Sequence, residues 1–192
     1  MKKILQPLAL LCCLVLATGL ASCGKDEPGT VSKKYAEWKE KNDRWLVEQQ
    51  NRLDEHGNNY YTAVTAAWDP AAVVYMHWLN DRSLTQGNPQ PYYTSTVDVK
   101  YTGKTYDGEE FDSSTYVTTP TVGVMRTKLT AVVEGWAIAL TAMHVGDHCE
   151  VIVPYNVGYG SSAMNTINPY SMLVFDIELV AIPKLERVQA HK

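Results

Sequence analysis

The order of the predicted elements indicates an α+β fold in which an antiparallel sheet curls over one short helix. Strand patterns dominate from residue 60 onward, and segments 96–102 and 172–182 alternate apolar and polar residues. Between them, 134–143 is the one convincing helical segment of this region. A sheet that buries one face needs a covering layer, which a helix on its concave face provides. We also predict an N-terminal helical extension.

The first 22 residues have the pattern of a secretory signal. Lys2 and Lys3 precede an apolar run over 4–20, and Leu20-Ala21-Ser22-Cys23 matches a bacterial lipobox. The alternative is an ordinary cleaved signal with an incidental cysteine. By resemblance to bacterial lipoproteins, Cys23 would become the acylated first residue, with more than one acyl chain for stable anchoring. We therefore predict a signal peptide over 1–22 and a lipoprotein of the cell envelope, in the outer membrane and either periplasmic or surface-exposed.

Residues 23–31 are polar, are interrupted by Pro and Gly, and show no periodicity, so they are predicted to form a flexible tether. Within them, Lys25-Asp26-Glu27 resembles the acidic export tag that sends some Bacteroidetes lipoproteins to the outer face of the outer membrane. A plain solvated linker fits these residues equally well. Only the tag supports a further idea, a structural subunit of a surface nutrient-uptake complex.

Cysteine usage and charge limit the possible functions. Cys12 and Cys13 would leave with the signal and Cys23 would carry lipid, so Cys149 is the remaining thiol and no internal disulfide is expected. The 17 Lys and Arg, less Lys2 and Lys3, leave 15 against 21 Asp and Glu, a net charge of −6. Nucleic acid is therefore an unsuitable partner.

Segment 32–57 is predicted to be an amphipathic helix, with Ser32 as its N-cap and Gly57 as its stop. Opposite charges lie four residues apart at Glu37/Lys41, Glu40/Arg44 and Glu48/Arg52. One face is apolar and includes Tyr35, Trp38, Trp45, Leu46 and Leu53. We expect this face to pack on the helix's own domain, and a homodimer contact through residues 32–55 is the alternative.

The main domain is predicted to span 58–183, with a polar tail over 184–192. Its strands are expected at 60–66, 73–79, 96–102, 149–154 and 172–182, with a long turn region over 80–91. Turns are expected at Asp69-Pro70, Asp107-Gly108 and Gly146-Asp147. In the last strand the inward residues are Leu173, Phe175, Ile177 and Leu179.

Five short segments of the main domain place aromatic side chains next to single polar atoms. Such residues can line a small apolar pocket that orients its ligand with few hydrogen bonds. The segments are Val97-Asp98-Val99-Lys100-Tyr101-Thr102-Gly103, Phe111-Asp112-Ser113-Ser114, Val132-Val133-Glu134-Gly135-Trp136, Tyr159-Gly160 and Leu173-Val174-Phe175-Asp176.

In this order and spacing, the segments resemble the FKBP-type peptidyl-prolyl cis-trans isomerases over residues 96–182. The resemblance implies a half-barrel sheet wrapped over the short helix, with a pocket between the helix start and the sheet. It also implies an enzyme that acts on proline-containing unfolded polypeptides without a cofactor or a metal. We expect it to assist the folding of exported or envelope proteins. The alternative is a non-catalytic binding or chaperone module with the same fold.

The resemblance implies specific roles for individual residues. Trp136 would form the floor beneath the proline ring, and the walls would be Tyr101, Phe111, Val132, Val133 and Phe175. The Val133 N–H and the Tyr159 hydroxyl would donate hydrogen bonds to the substrate, and Asp112 would lie beside the twisting amide. Ile167 would belong to the substrate-binding loop. Without the motif context, Val99, Phe175 and Trp136 would be ordinary core residues.

Three departures from the family pattern concern the rim of the pocket. The segment between Asp112 and Val132 is longer than usual, and Thr121 and Val122 follow Pro120 where an aromatic residue is common. That wall is either missing or supplied by Tyr116. The basic partner of the aspartate is absent, since Arg126 is the only candidate and lies far along the segment. In the last loop, Asn168 stands where a second proline is common.

Other chemistry has weaker support. His144, His148 and Cys149 are residue types that bind zinc, but the predicted turn at Gly146-Asp147 disrupts the helical spacing that a preformed pair needs. Ser113 and Ser114 follow Asp112 without a plausible histidine partner, which disfavours a catalytic triad.

Overall fold

The computed structural model describes residues 33–183, and the predictions for Ser32, Cys23 and the rest of 1–32 and 184–192 lie outside this range. The described chain contains two α-helices, α1 (Lys33–Gln50) and α2 (Glu134–Thr141). Its strands are β1 (Thr62–Thr65), β2 (Val73–Trp78), β3 (Thr96–Thr105), β4 (Glu110–Ser113), β5 (Pro120–Thr121), β6 (Val124–Lys128), β7 (His148–Val153) and β8 (Leu173–Ala181).

All strands pair antiparallel in one sheet with the order β1-β2-β7-β8-β3-β6-β5. The central strand β3 is ten residues long, so one edge can pair with β8 while the other edge pairs with β6 in its first half and with β4 in its second. The predicted fold class, an antiparallel half-barrel over one short helix, is confirmed. Among residues 33–183, no helix is both long and apolar enough to cross a bilayer.

The core lies between the sheet and α2, whose residues 135–140 are all buried. Gly135 makes this close packing possible, because a Cβ at this position would lie 2.4 Å from Val153 Cγ1 on β7. On β8, the four residues predicted to point inward are at most 3% exposed. Cys149 is fully buried beside Met143, and burial is the main cause of the raised pKa of its thiol.

Helix α1 ends at Gln50, earlier than the predicted stop at Gly57. The cause is a turn in which the Asp54 carboxylate accepts hydrogen bonds from the N–H groups of His56 and Asn58, both at 2.8 Å. A side chain that bonds its neighbouring backbone in this way competes with helix formation. Arg52 consequently does not pair with Glu48, and its guanidinium lies 3.6 Å from the centre of the Tyr60 ring. The other two predicted pairs form, Glu37–Lys41 and Glu40–Arg44, each at 2.8 Å.

Helix α1 packs on its own domain. The Trp38 indole donates a hydrogen bond of 3.1 Å to Ser171 Oγ, and the buried Asn42 accepts one of 2.7 Å from the Met172 N–H. The rings of Trp38 and Trp45 lie 5.2 and 6.0 Å from that of Tyr106. The helix is thus attached to the segment that leads into β8.

The segment between β4 and α2 contains a hairpin that the sequence pattern did not predict. Strands β5 and β6 pair through Pro120–Met125 and Thr121–Val124, and Gly123 adopts a left-handed conformation with φ of +76° at the turn. The two-residue strand β5 is too short to show an alternation of apolar and polar residues.

Candidate active site

A cavity of about 240 Å³ lies between the start of α2 and the sheet. All eight residues to which the family resemblance gives a catalytic role line it, together with two further residues, Met125 and Ala131. Its lining consists of Tyr101, Phe111, Asp112, Met125, Ala131, Val132, Val133, Trp136, Tyr159 and Phe175.

The aromatic side chains of the cavity meet edge to face, a favourable arrangement for such rings. The Trp136 ring lies 4.8 Å from that of Tyr101 and 5.2 Å from that of Phe175, both at 84°. Phe111 meets Phe175 at 5.6 Å and 89°. A Cβ at Gly103 of β3 would lie 2.7 Å from the Phe175 ring and 2.8 Å from the Phe111 ring. Glycine at this position therefore allows both rings to occupy the cavity wall.

Trp136 is 4% exposed, as expected of a cavity floor. Its indole N–H is buried and has no hydrogen-bond partner within residues 33–183. Unpaired buried donors are rare in folded proteins, and functional sites are among the places where they occur.

Three polar side chains approach the cavity. The Tyr101 hydroxyl donates a hydrogen bond of 2.6 Å to Asp112 Oδ2, and Asp112 Oδ1 accepts one of 2.8 Å from the Ser113 N–H. Burial raises the pKa of Tyr101, and the hydrogen bond to Asp112 raises it further. Burial and the nearby Asp112 charge also raise the pKa of Tyr159. Both phenols therefore keep their protons at neutral pH and can act as hydrogen-bond donors.

The two serines after Asp112 have a structural role. Ser114 Oγ accepts a hydrogen bond of 3.0 Å from the Tyr101 N–H, and Ser113 Oγ accepts one of 3.2 Å from the Thr115 N–H. The Ser113 hydroxyl also donates a hydrogen bond of 3.3 Å to the Tyr101 carbonyl oxygen. The two bonds to Tyr101 attach the end of β4 to β3 and thereby position Phe111 and Asp112 at the cavity.

Val133 is the residue before α2, and its carbonyl accepts a hydrogen bond of 3.0 Å from the Trp136 N–H. No hydrogen bond from the Val133 N–H is found in the described part of the chain. The backbone donor that the resemblance assigns to substrate binding is therefore available at the edge of the cavity.

The structure answers two questions about the rim, what stands in place of the usual aromatic wall and whether Arg126 pairs with Asp112. Tyr116 does not supply the missing wall, because it is 77% exposed and lies outside the cavity, as does Val122. Met125 of β6 lines this side instead. Arg126 binds Asp98 with two hydrogen bonds of 2.7 Å and is not a partner of Asp112. Recognition of the hairpin turn at Gly123 is the signal that could have located Met125.

Ile167 does not line the cavity. Its side chain is 4% exposed and belongs to the hydrophobic core, while its backbone bridges to that of Met164 within the last loop. Its side chain thus contributes to packing rather than to the cavity wall, and a role of this loop in substrate binding stays a prediction.

The two histidines considered as zinc ligands have other contacts. His148 Nε2 lies 2.7 Å from Asp176 Oδ1, and His144 Nδ1 lies 3.2 Å from Arg82 Nη2. Across residues 33–183, no group of three or more His, Cys, Asp or Glu side chains is arranged to hold a metal ion.

An antiparallel half-barrel whose helix start closes an aromatic cavity with few polar groups matches what the resemblance implies for the FKBP class of peptidyl-prolyl isomerases. The family model described as "FKBP-type peptidyl-prolyl cis-trans isomerase" matches residues 87–180. The chain belongs to this family of enzymes.

Two similar curated proteins illustrate the relationship. The macrophage infectivity potentiator of Trypanosoma cruzi is 33% identical over 138 residues, which cover 67% of this chain and 68% of that protein. The FKBP-type 22 kDa peptidyl-prolyl cis-trans isomerase of Escherichia coli K12 is 40% identical over 106 residues, 54% of this chain and 50% of that protein. The chain thus spans about half the length of the E. coli relative.

Solved structures support the same fold. A peptidyl-prolyl cis-trans isomerase from Pseudomonas syringae superposes with a TM-score of 0.62 at 24% identity and covers 81% of this chain and 100% of its own. FkpA from E. coli superposes with a TM-score of 0.58 at 23% identity, covering 78% of this chain and 62% of its own.

Proposed function

We propose that this chain accelerates cis-trans isomerisation of X-Pro bonds in unfolded exported polypeptides. The observation that carries the proposal is that eight residues from five separate segments meet around one aromatic cavity, with Trp136 as its floor. The cavity is apolar enough to take up a proline ring, while Tyr159, Asp112 and the Val133 N–H offer polar contacts at its edge.

The mechanism follows from the electronic structure of the amide. Rotation about an X-Pro bond breaks amide resonance, at a barrier of about 18–20 kcal/mol. The planar amide is more polar than the twisted one, so a cavity that excludes water favours the twisted form. Buried Trp136, Phe175 and Tyr101 supply such an environment. The reaction requires neither proton transfer nor a covalent intermediate, consistent with two tyrosines that remain protonated.

The direct test is a protease-free measurement of cis-trans relaxation on a set of X-Pro peptides. We expect the wild-type chain to accelerate relaxation in proportion to its concentration. Binding of the same peptides without acceleration would contradict the proposal and support a non-catalytic module.

The non-catalytic module is kept as a second candidate because Tyr116 and Val122 point away from the cavity. Tyr116 and Val122 are 77% and 75% exposed, so the side of the cavity where the family commonly has an aromatic residue is lined by Met125. A cavity open on this side would exclude water less completely, which would lower turnover more than binding.

We also propose that the protein is a bacterial, Bacteroidetes-like envelope lipoprotein, acylated at Cys23. The lipobox over 20–23 supports this proposal. We expect the protein to partition with membranes and Cys23→Ala to release or mislocalise it. Unchanged partitioning of the variant, with an unacylated N-terminus by mass spectrometry, would contradict the anchor.

Display on the outer face of the outer membrane is a narrower proposal, supported by the acidic Lys25-Asp26-Glu27 sequence. Protease added to intact cells should digest the wild-type protein, while replacement of all three residues by alanine should protect it. Equal digestion of both would identify these residues as linker.

A homodimer through residues 32–55 stays a prediction. Sedimentation of the purified acylation-deficient protein measures the oligomeric state directly. A monomer at concentrations well above those of the activity assay would contradict it.

A further inference from the structure

We propose that an aromatic groove along α2 binds the part of the client polypeptide that flanks the isomerising proline. The inference rests on the proposed function, since it extends the binding site of the same substrate. It assigns a role to a surface that the proline cavity does not include.

The groove has a volume of about 580 Å³ and lies between α2, β1 and the segment before β3. Its most prominent side chains are three exposed aromatic residues, with Trp68 45%, Tyr92 68% and Tyr93 47% exposed. The rings of Trp68 and Tyr93 lie 4.9 Å apart. Ile138 and Ala142 of α2 form the apolar base. Large aromatic side chains gathered in one exposed concave surface are typical of an interaction site.

The groove lies next to the proline cavity at the start of α2. Val133 lines the cavity, and the next residue, Glu134, accepts a hydrogen bond of 2.9 Å from the Trp68 indole. Trp68 in turn lines the groove. A polypeptide that leaves the cavity over the start of α2 would therefore reach the aromatic side chains of the groove directly.

The dimensions and the chemistry of the groove indicate an extended, apolar occupant. From Glu134 to Ala142 the helix rises by about 12 Å, at about 1.5 Å per residue. An extended chain covers this distance with about four residues, at about 3.3 Å each. The side chains that line the groove carry no charge, so it fits an aromatic or aliphatic residue about four positions from the proline better than a charged one.

The experiment compares isomerisation of three peptides that share one X-Pro bond. The first is a tetrapeptide. The second is extended on both sides and has an aromatic residue four positions from the proline. The third has the same extensions, with serine in place of the aromatic residue. The readout is the ratio of kcat/KM for the aromatic peptide to that for the tetrapeptide. For the wild-type chain, we expect kcat/KM to be higher for the aromatic peptide than for the tetrapeptide. We expect kcat/KM for the serine peptide to be close to that for the tetrapeptide.

Replacement of Tyr92 and Tyr93 together by alanine should lower this ratio about five- to tenfold, the effect of losing an aromatic anchor. Leu53→Ala is the matched control, because Leu53 is an exposed apolar residue outside the groove, and it should leave the ratio unchanged. If the double variant does not fold, Tyr92→Ala alone serves, since Tyr92 is the most exposed of the three. An unchanged ratio in the tyrosine variants would overturn the inference.

The outcomes separate this inference from the proposed function. No acceleration of the tetrapeptide by the wild-type chain would contradict isomerase activity. The groove would then be tested by calorimetric affinity for the aromatic peptide, and equal affinities of wild type and double variant would overturn it. Sedimentation completes the test, because a wild-type dimer that the double variant loses would assign the groove to a second copy of the chain and also overturn it.

Discussion

At the scale of single residues, Asp112 organises the polar side of an otherwise apolar cavity. It accepts the hydrogen bond of Tyr101, and its charge contributes to the raised pKa of Tyr159. Within residues 33–183, no lysine or arginine lines the cavity to compensate its charge, and Arg126 is bound to Asp98. The phenol of Tyr101 thus takes the role of partner that a basic side chain would otherwise have.

The aromatic floor and wall should determine turnover. Phe111→Ala or Trp136→Leu opens the cavity to water, and we expect kcat/KM in the protease-free assay to fall by about one order of magnitude or more. Tyr116→Ala is the control, because Tyr116 is aromatic but lies outside the cavity. A similar loss in all three variants would show that enclosure by these rings is not the source of catalysis.

The hydroxyl of Tyr159 should contribute one hydrogen bond to catalysis. Removing it in Tyr159→Phe should cost about 0.5–1.5 kcal/mol, which is about a two- to tenfold decrease in kcat/KM. Unchanged kinetics would mean that this hydroxyl does not contact the substrate.

The rate should not depend on pH between about pH 6 and 9. The pKa values of Tyr101 and Tyr159 are raised above the ordinary value of 10.0, so the protonated donors persist across this range and beyond it. A pH titration of kcat/KM checks this expectation. A decrease that begins below pH 9 and is abolished in Tyr159→Phe would indicate that this phenol ionises in the folded protein.

At the scale of elements, helix α1 is joined to the chain segment before β8 by a buried polar contact. Asn42 is fully buried, accepts from the Met172 N–H at 2.7 Å and donates to the Trp38 carbonyl at 2.8 Å. The same segment is connected back toward the active-site loop, because the Tyr170 N–H donates to the Gly160 carbonyl at 2.8 Å. The N-terminal helix thus stabilises a segment adjacent to Tyr159.

Asn42→Ala should destabilise the fold by about 1–3 kcal/mol, because it leaves the buried Met172 N–H without a partner. Urea unfolding followed by tryptophan fluorescence measures this loss. Asn51→Ala is the matched control, since Asn51 makes an exposed hydrogen bond to the Val47 carbonyl. Equal, small effects of the two substitutions would contradict the proposed anchoring of α1.

The turn before β7 is held by the buried Asp147. Burial opposes ionisation of this carboxylate, but hydrogen bonds from the His144 N–H, Thr85 and Asn80, together with the Arg82 charge, outweigh burial and lower its pKa below 3.8. Because the folded-state pKa is depressed, the stabilisation is present above about pH 4 and is lost as the pH falls through the lower folded value.

Asp147→Asn should therefore reduce the free energy of unfolding at pH 7, and its difference from wild type should shrink as the pH falls below about 4. Urea midpoints measured between pH 3 and 7 check this expectation. The exposed carboxylate Glu110 provides the control, and Glu110→Gln should have little effect. A difference that stays constant over the whole pH range would show that the carboxylate charge is not what stabilises the turn.

At the scale of the whole molecule, α2 serves two surfaces. Val133 and Trp136, at its start, line the proline cavity. Ile138 and Ala142, further along, form the base of the aromatic groove. A client that occupied both surfaces would bind along the helix, with its proline at the helix start.

The class of fold and the inward residues of β8 followed from the sequence, because the alternation of apolar and polar residues reflects local structure. The eight cavity residues followed from the resemblance of five short segments to the FKBP-type isomerases. The contact partners of the individual side chains could be read from the three-dimensional structure alone. It showed that Arg126 binds Asp98, that Met125 replaces an aromatic wall, and that Ile167 is buried in the core. It also brought Trp68 to Glu134, 66 positions apart in the chain. Such contacts depend on hairpin pairing and on strand register, which bring together residues that no short-range pattern connects.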